Sequence, residues 1–241
     1  YVNSGILHIC YKEENIVDIV RFKGGLGNQM FQYALVEALR DKGRNVKVSL
    51  GGYVKNPNTR PFCLYKAFTN IDLECVSDEE FNNINEKWKK IKQNKTEREI
   101  FCKDYKNRFF WVEDIINEPG VYQPNVFNTK NCTFVGYWQS EKYFQDIKEK
   151  IIDTYRFPEF PAGQNTWAER IQNSCAVSVH IRRGDYLQYP YLQNICTLKY
   201  YKKAMDYFRN KLSEKAEFYI FTNDFPWAEE QFTERDCHFV K

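Results

Sequence analysis

The stretch Phe22–Arg40, FKGGLGNQMFQYALVEALR, constrains the fold of this chain more than any other. Before it comes the β-branched run Ile16-Val17-Asp18-Ile19-Val20, which reads as a buried strand. After the glycines, Phe31, Ala34, Leu35, Ala38 and Leu39 recur at helical spacing, and Gly43 stands where a C-terminal cap belongs. A second strand, Asn45–Leu50, completes a strand–helix–strand unit over residues 16–50, whose strands should be parallel. The joint is Gly24-Gly25-Leu26-Gly27-Asn28-Gln29. Glycines there let the backbone approach a ligand, and a helix start offers N–H groups to an anion. A tight turn with nothing bound explains the same glycines equally well.

At 241 residues the chain can bury a large core and hold one large or two small domains. A net charge of +3 is too small to argue for nucleic acid or a membrane surface, and no nucleic-acid partner is expected. Aromatic content is high, at 17%, which suits either sugar-binding platforms or a dense aromatic core. The eight cysteines contain no C-x-x-C pair, so their spacing suggests no zinc site and fits a reducing cytosol. No apolar run is long enough to span a bilayer, and no signal peptide is present. The expectation is a cytoplasmic protein without an integral membrane segment, at most peripheral to the inner face of a membrane. A start at Tyr1 leaves room for an upstream anchor.

Residues 51–62 carry loop chemistry, and Ser77-Asp78-Glu79-Glu80 resembles a capping box opening a helix through about residue 92. The run Glu86–Glu99 is charged with mixed sign and reads as a solvated surface. Phe134–Trp138 reads as a short strand, and Ser140 opens a helix through about residue 153. Phe157-Pro158-Glu159-Phe160-Pro161-Ala162-Gly163 is the best linker, so the domains are placed at 1–160 and 161–241. Past it come a helix Trp167–Asn173, a strand Cys175–Ile181, a helix capped by Thr197 and a strand Phe218–Thr222. The chain therefore reads as α/β, two such units in tandem.

Two clusters carry chemistry. In His180-Ile181-Arg182-Arg183-Gly184-Asp185-Tyr186, side-chain alternation puts His180 and Arg182 on one face at a strand's carboxyl end, where open α/β sheets bind ligands. An arginine fork there suits a phosphate, and Asp185 could orient an arginine or cap the turn. The arginine pair favours a phosphate ligand over a salt-bridged loop with nothing bound. In Thr222-Asn223-Asp224-Phe225-Pro226-Trp227 a carboxylate could accept two N–H bonds from guanine, although local sequence reads more simply as a helix cap before Pro226. There is no D-x-D, no P-loop, no third glycine of a dinucleotide fingerprint and no histidine metal motif.

GGLGNQMFQYA at 24–34, GYWQSEKYF at 136–144, VHIRRGDY at 179–186 and FYIFTND at 218–224 resemble, in order, the α-1,2-fucosyltransferases of glycosyltransferase family 11. The resemblance implies a GT-B-like fold, two Rossmann-like domains facing across a cleft. The first domain would lie on the acceptor side and the second would bind the donor. It implies transfer of L-fucose from GDP-β-L-fucose to the 2-hydroxyl of a galactose-terminated oligosaccharide, with inversion, no metal and no cofactor. Arg182 and Asn28 would be catalytic, Arg182 on the diphosphate and Asn28 near the sugar. Gly24, Gly25, Gly27, Gln29, His180, Arg183, Asp185, Asn223 and Asp224 would bind the donor, Asp224 by reading guanine. Asp185, Glu141 and an oxygen of the leaving diphosphate are the candidate bases. Alternatives are a non-catalytic GDP- or glycan-binding remnant and a fucosyltransferase of another linkage. The family pattern continues past this point with a block rich in Asn, Ser, Phe and Trp, and this chain stops at Lys241. The second domain is therefore expected to be incomplete, with Phe218, Tyr219 and Ile220 poorly covered.

Overall fold

A computed structural model describes residues 17–54, 60–80, 82–83, 86, 110–112, 121–159, 166–193, 195–212 and 215–241. The N-terminal segment, the charged run from residue 87 and most of the linker lie outside these residues. The chain divides into two compact units, Tyr1–Pro158 and Glu159–Lys241.

The first unit is built on a parallel sheet in the order β2-β1-β4-β3, with β1 at Asp18–Arg21, β2 at Val46–Ser49, β3 at Phe110–Val112 and β4 at Thr133–Val135. The outer side of β2 is not bare: Val48 bridges Cys75, and its N–H and C=O bond the chain at Glu74 and Val76. Strand β4 is shorter than expected, because Trp138 sits at a positive φ of 57° and takes the chain out of the sheet. Strand β3 has no counterpart in the sequence pattern; three residues show no period. Where one helix was expected after Ser140, two 3-10 turns, Glu141–Tyr143 and Gln145–Ile147, precede a helix at Lys148–Thr154 (α4).

Helix α1, Leu26–Asp41, starts earlier than the sequence suggests, so Gly27, Asn28 and Gln29 form its first turn rather than a loop. Its end is a Schellman motif: Gly43, at φ +73°, donates to the Arg40 carbonyl at 2.8 Å, and Arg44 donates to Leu39 at 3.3 Å. The helix is buried on nearly every side. Tyr33, Leu35, Val36 and Leu39 join Val20, Val48 and Phe134 in the main core. Ala34 and Ala38 pack instead on Ile147 and Ile151, the latter on α4, Lys148–Thr154. Glu37 therefore lies buried between Arg40 at 3.0 Å and Lys150 at 2.7 Å. Two short helices, α2 at Gly51–Val54 and α3 at Leu64–Ala67, complete the described α-helices of the unit together with the helical residues 78–80, 82–83 and 86. There the capping box is reciprocal: Glu80 N–H bonds Ser77 Oγ at 3.2 Å, and Ser77 N–H bonds Glu80 Oε2 at 2.9 Å.

The second unit is a parallel sheet in the order β5-β6-β7, with β5 at Cys175–Ile181, β6 at Ala216–Thr222 and β7 at Cys237–Phe239. Helix α6, Leu198–Lys211, crosses from β5 to β6, and α7, Phe225–Gln231, crosses from β6 to β7. Thr197 caps α6 by accepting the Tyr200 N–H. Val179, Ile181, Met205, Phe218, Ile220 and Phe232 form one core. On the opposite face Tyr219 meets Trp167 of α5, Thr166–Gln172, edge to face at 6.3 Å.

The expected weakness at Phe218–Ile220 is not found. Strand β7, unseen in the sequence, makes β6 the central strand, and Phe218, Tyr219 and Ile220 are each at most 1% exposed. The open side is at β5, where Cys175, Ala176, Ser178 and His180 are exposed. Each of the six described cysteines is a free thiol, and among the described residues no helix is long and apolar enough to cross a membrane.

Candidate active site

Strand β5 ends at Ile181, and the chain leaves it through Arg182 and Arg183 into a 3-10 turn, Gly184–Gln188. Here the structure brings together six of the expected residues: His180, Arg182, Arg183 and Asp185 from the end of β5, and Asn223 and Asp224 from the end of β6.

Arg182 donates from Nε to Asp185 Oδ1 at 3.0 Å and from Nη2 to Oδ2 at 2.5 Å, a bidentate fork. Its guanidinium lies over Tyr186, 4.4 Å from the ring centre. Arg183 donates from Nε to Asp224 Oδ2 at 3.0 Å and lies 3.9 Å over the Trp227 ring. Its backbone N–H bonds Asn223 Oδ1 at 2.9 Å. A Cβ at position 184 would stand 2.6 Å from Asn223 Nδ2, so any larger residue there would push the Asn223 amide aside. Asp224 also caps α7: its Oδ1 accepts the Trp227 N–H at 3.4 Å, with a proline in the first turn. The helix cap read from local sequence is therefore present.

His180, Arg182 and Arg183 line a cavity of about 290 Å3 with Tyr186, Leu192 and Ile195 among its walls. Tyr201 closes it from α6, its hydroxyl donating to the His180 carbonyl at 3.3 Å. Burial pushes the Tyr201 phenol up to about 12, so it stays neutral. The cavity's lining combines two guanidiniums with apolar side chains, which suits an anion carrying a less polar ring.

The remaining expected residues sit in the first unit. Gly24, at φ +83°, needs its glycine, since a Cβ there would collide with Asn28 Nδ2. Gly25 is the N-cap of α1 with no side-chain cap, and the Arg60 side chain lies against it. Gly27 is exposed, and a Cβ there would meet nothing within 4 Å. Asn28 Oδ1 accepts from Gln139 Nε2 at 2.7 Å. Gln29 does not fit the donor-binding role expected of it. It is fully buried, donating to the carbonyls of Gly24 and Pro61, both at 3.0 Å, and accepting the Cys63 N–H at 2.8 Å. Its amide is spent on shaping the loop.

Sequence reasoning gave no role to Tyr186 and Trp227, although both stand inside the quoted motifs. For Tyr186 the available signal was an aromatic four residues from Arg182; Trp227 lies far from Arg183 in sequence and gave none. Tyr53, whose hydroxyl donates to the Gly24 carbonyl at 2.8 Å, and Gln32, which bonds Lys23 and Gly136, left no local signal. Among the described residues no group of three His, Cys, Asp or Glu stands together as a metal ion would need.

A parallel α/β chain with paired arginines at a strand's carboxyl end has the architecture of a nucleotide- or phosphate-ligand enzyme. The sequence profile of glycosyl transferase family 11 matches residues 8–239, and the chain belongs to that family. An alpha-1,2-colitosyltransferase of Escherichia coli is 29% identical over 217 residues, covering 87% of this chain and 70% of that protein. The O-antigen biosynthesis glycosyltransferase WbnK of Escherichia coli is 27% identical over 252 aligned positions, covering 90% and 76%. The crystal structure of the fucosyltransferase NodZ from Bradyrhizobium shares the fold, with a TM-score of 0.50 at 13% identity over 95% of this chain and 79% of that one.

Proposed function

We propose that this glycosyltransferase moves L-fucose from GDP-β-L-fucose to the 2-hydroxyl of a galactoside, inverting the anomeric centre. The observation that carries the reading is the arginine pair, held in place at the end of β5 beside a cavity. The α-1,2 linkage is supported by the activity for which the colitosyltransferase relative is named and by the four motif blocks.

The reaction is a single in-line displacement. The galactoside oxygen bonds to the anomeric carbon as the bond to the β-phosphate oxygen breaks, and GDP leaves with the bonding pair. Negative charge grows on the diphosphate in the transition state, where fixed guanidinium donors stabilise it without reorganising. Two arginines supply this charge, and GDP-fucose is a substrate, so the reading calls for no cofactor. Asp185 has both oxygens on Arg182 and acts as its anchor, which leaves Glu141 or a diphosphate oxygen to take the acceptor proton. At about 290 Å3 the cavity stands at the low end of ligand-pocket sizes, room for one ring system beside the arginines. Walls such as Leu192 and Ile195 suit a deoxy sugar.

The test is incubation with GDP-fucose and a panel of galactosides, followed by linkage analysis of the product. An α-1,2-fucosylated galactoside with release of GDP is expected. Transfer to another hydroxyl overturns the linkage, and intact GDP-fucose after long incubation overturns the activity. The relative's name favours a second reading, colitosyl transfer, which a GDP-colitose arm of the same assay separates.

A further inference from the structure

The two arginines are mounted in the same way. Arg182 is held on one edge by Asp185 and on one face by Tyr186; Arg183 is held on one edge by Asp224 and on one face by Trp227. A guanidinium fixed by an edge and a face has lost its freedom of rotation, while donors on its far side remain to meet a second anion. The carboxylate that holds Arg183 has both oxygens engaged. Asp224 Oδ2 takes the Arg183 Nε–H, Oδ1 takes the Trp227 N–H, and the Asp224 N–H is itself held by Thr222 Oγ1 at 3.0 Å. To read guanine, the same two oxygens would have to take the N1–H and N2–H edge on their remaining lone pairs, and any turn of the carboxylate toward the base would loosen its hold on Arg183 and on the start of α7.

We propose that Asp224 and Trp227 are positioning residues that hold the Arg183 fork for a diphosphate, and that Asp224 does not read the nucleobase. The proposal rests on the reading above that the arginine pair takes a diphosphate. Its physical basis is preorganisation: the side-chain freedom that an arginine would lose on binding has been lost on folding. The stacked ring also shields one face of Arg183 from water, which strengthens its remaining bonds.

Asp224→Asn separates this role from base reading, because asparagine still caps α7 but offers no charge to Arg183. Calorimetric titration of the parent and the variant with pyrophosphate, GDP and ADP gives the result. Pyrophosphate should bind about tenfold more weakly to the variant, as expected for a lost charge-assisted anchor. GDP and ADP should weaken by the same factor, leaving their ratio unchanged. Trp227→Leu should repeat the pattern with a smaller factor, its melting transition confirming the fold. Pyrophosphate binding that holds or tightens in Asp224→Asn overturns the positioning role. A collapse of the GDP-to-ADP ratio with pyrophosphate unchanged makes Asp224 a base reader. Absence of any binding by the parent would instead remove the diphosphate reading. A ligand-free measurement then decides the positioning role alone: the Arg183 Nε–H should be protected from exchange in the parent and exposed in Asp224→Asn, and equal protection overturns it.

Discussion

The helix start of the first unit and the strand-end loops of the second are both turns that a ligand could approach, yet they are fastened by opposite chemistry. Around Gly24–Gln29 the fastenings are neutral and buried: the Gln29 and Gln32 amides and the Tyr53 hydroxyl bond backbone groups. Around Arg182–Asp185 and Asn223–Trp227 they are ionic and partly exposed, arginine to carboxylate, backed by aromatic faces. A buried amide has no donors left once it is satisfied, so it can only shape the chain. A guanidinium has five N–H donors and can be anchored by some while offering others. Rigidity without availability marks the first loop, and rigidity with availability marks the second.

Removing Gln29 should produce the largest effect. Gln29→Ala takes the partner from the Cys63 N–H and one of two donors from the Gly24 and Pro61 carbonyls, and the cost should be about 2 kcal/mol of stability. Urea unfolding followed by circular dichroism measures it, and a loss below about 0.5 kcal/mol would show that water satisfies the loop instead. Arg182→Lys tests the other side of the comparison. Lysine keeps the charge but cannot hold Asp185 by two bonds and face a phosphate as well. GDP affinity should fall about tenfold with little change in melting temperature. Equal affinities in calorimetry would remove Arg182 from the site.

The smallest effect belongs to an ion pair of the second unit away from the cavity. Asp236 receives Arg209 Nε at 2.7 Å and Nη2 at 3.0 Å, and these bonds hold its carboxyl below the usual range. A depressed carboxylate stabilises the fold above its ordinary pKa and loses that contribution as pH falls through the depressed value. Asp236→Asn should therefore cost about 1 kcal/mol at neutral pH and flatten the acid limb of the stability curve below about pH 4. An acid limb identical to the parent's would mean that the pair contributes nothing. It would also sharpen the contrast, since charge pairs here would matter only where they hold a ligand group.

Much of this was legible in the sequence wherever the cause is local. The β5 strand falls at Cys175–Ile181 as its pattern predicts, and the arginine pair follows it at the carboxyl end. The Gly43 cap and the Ser77–Glu80 box depend on neighbours within five residues, and both are present. Distance in sequence hides the rest. Gln29 looks like a ligand group until Pro61 and Cys63 are folded beside it. The stripe Phe31, Ala34, Leu35, Ala38 and Leu39 shows only part of what α1 buries: Gln32, Tyr33, Val36 and Glu37 are buried too, by partners distant in sequence such as Gly136 and Lys150. Three-residue strands such as β3 and β7 carry no alternation, yet β7 decides that β6 is central.

At Gly184 and Asn223 the ends of two strands meet closely, and a Cβ at 184 would stand 2.6 Å from Asn223 Nδ2. Mechanically this makes one lever of two loops. The Arg183 backbone hangs on Asn223, and the next residue along opens α7. Through that joint the arginines, the end of β6 and the start of α7 form one connected piece.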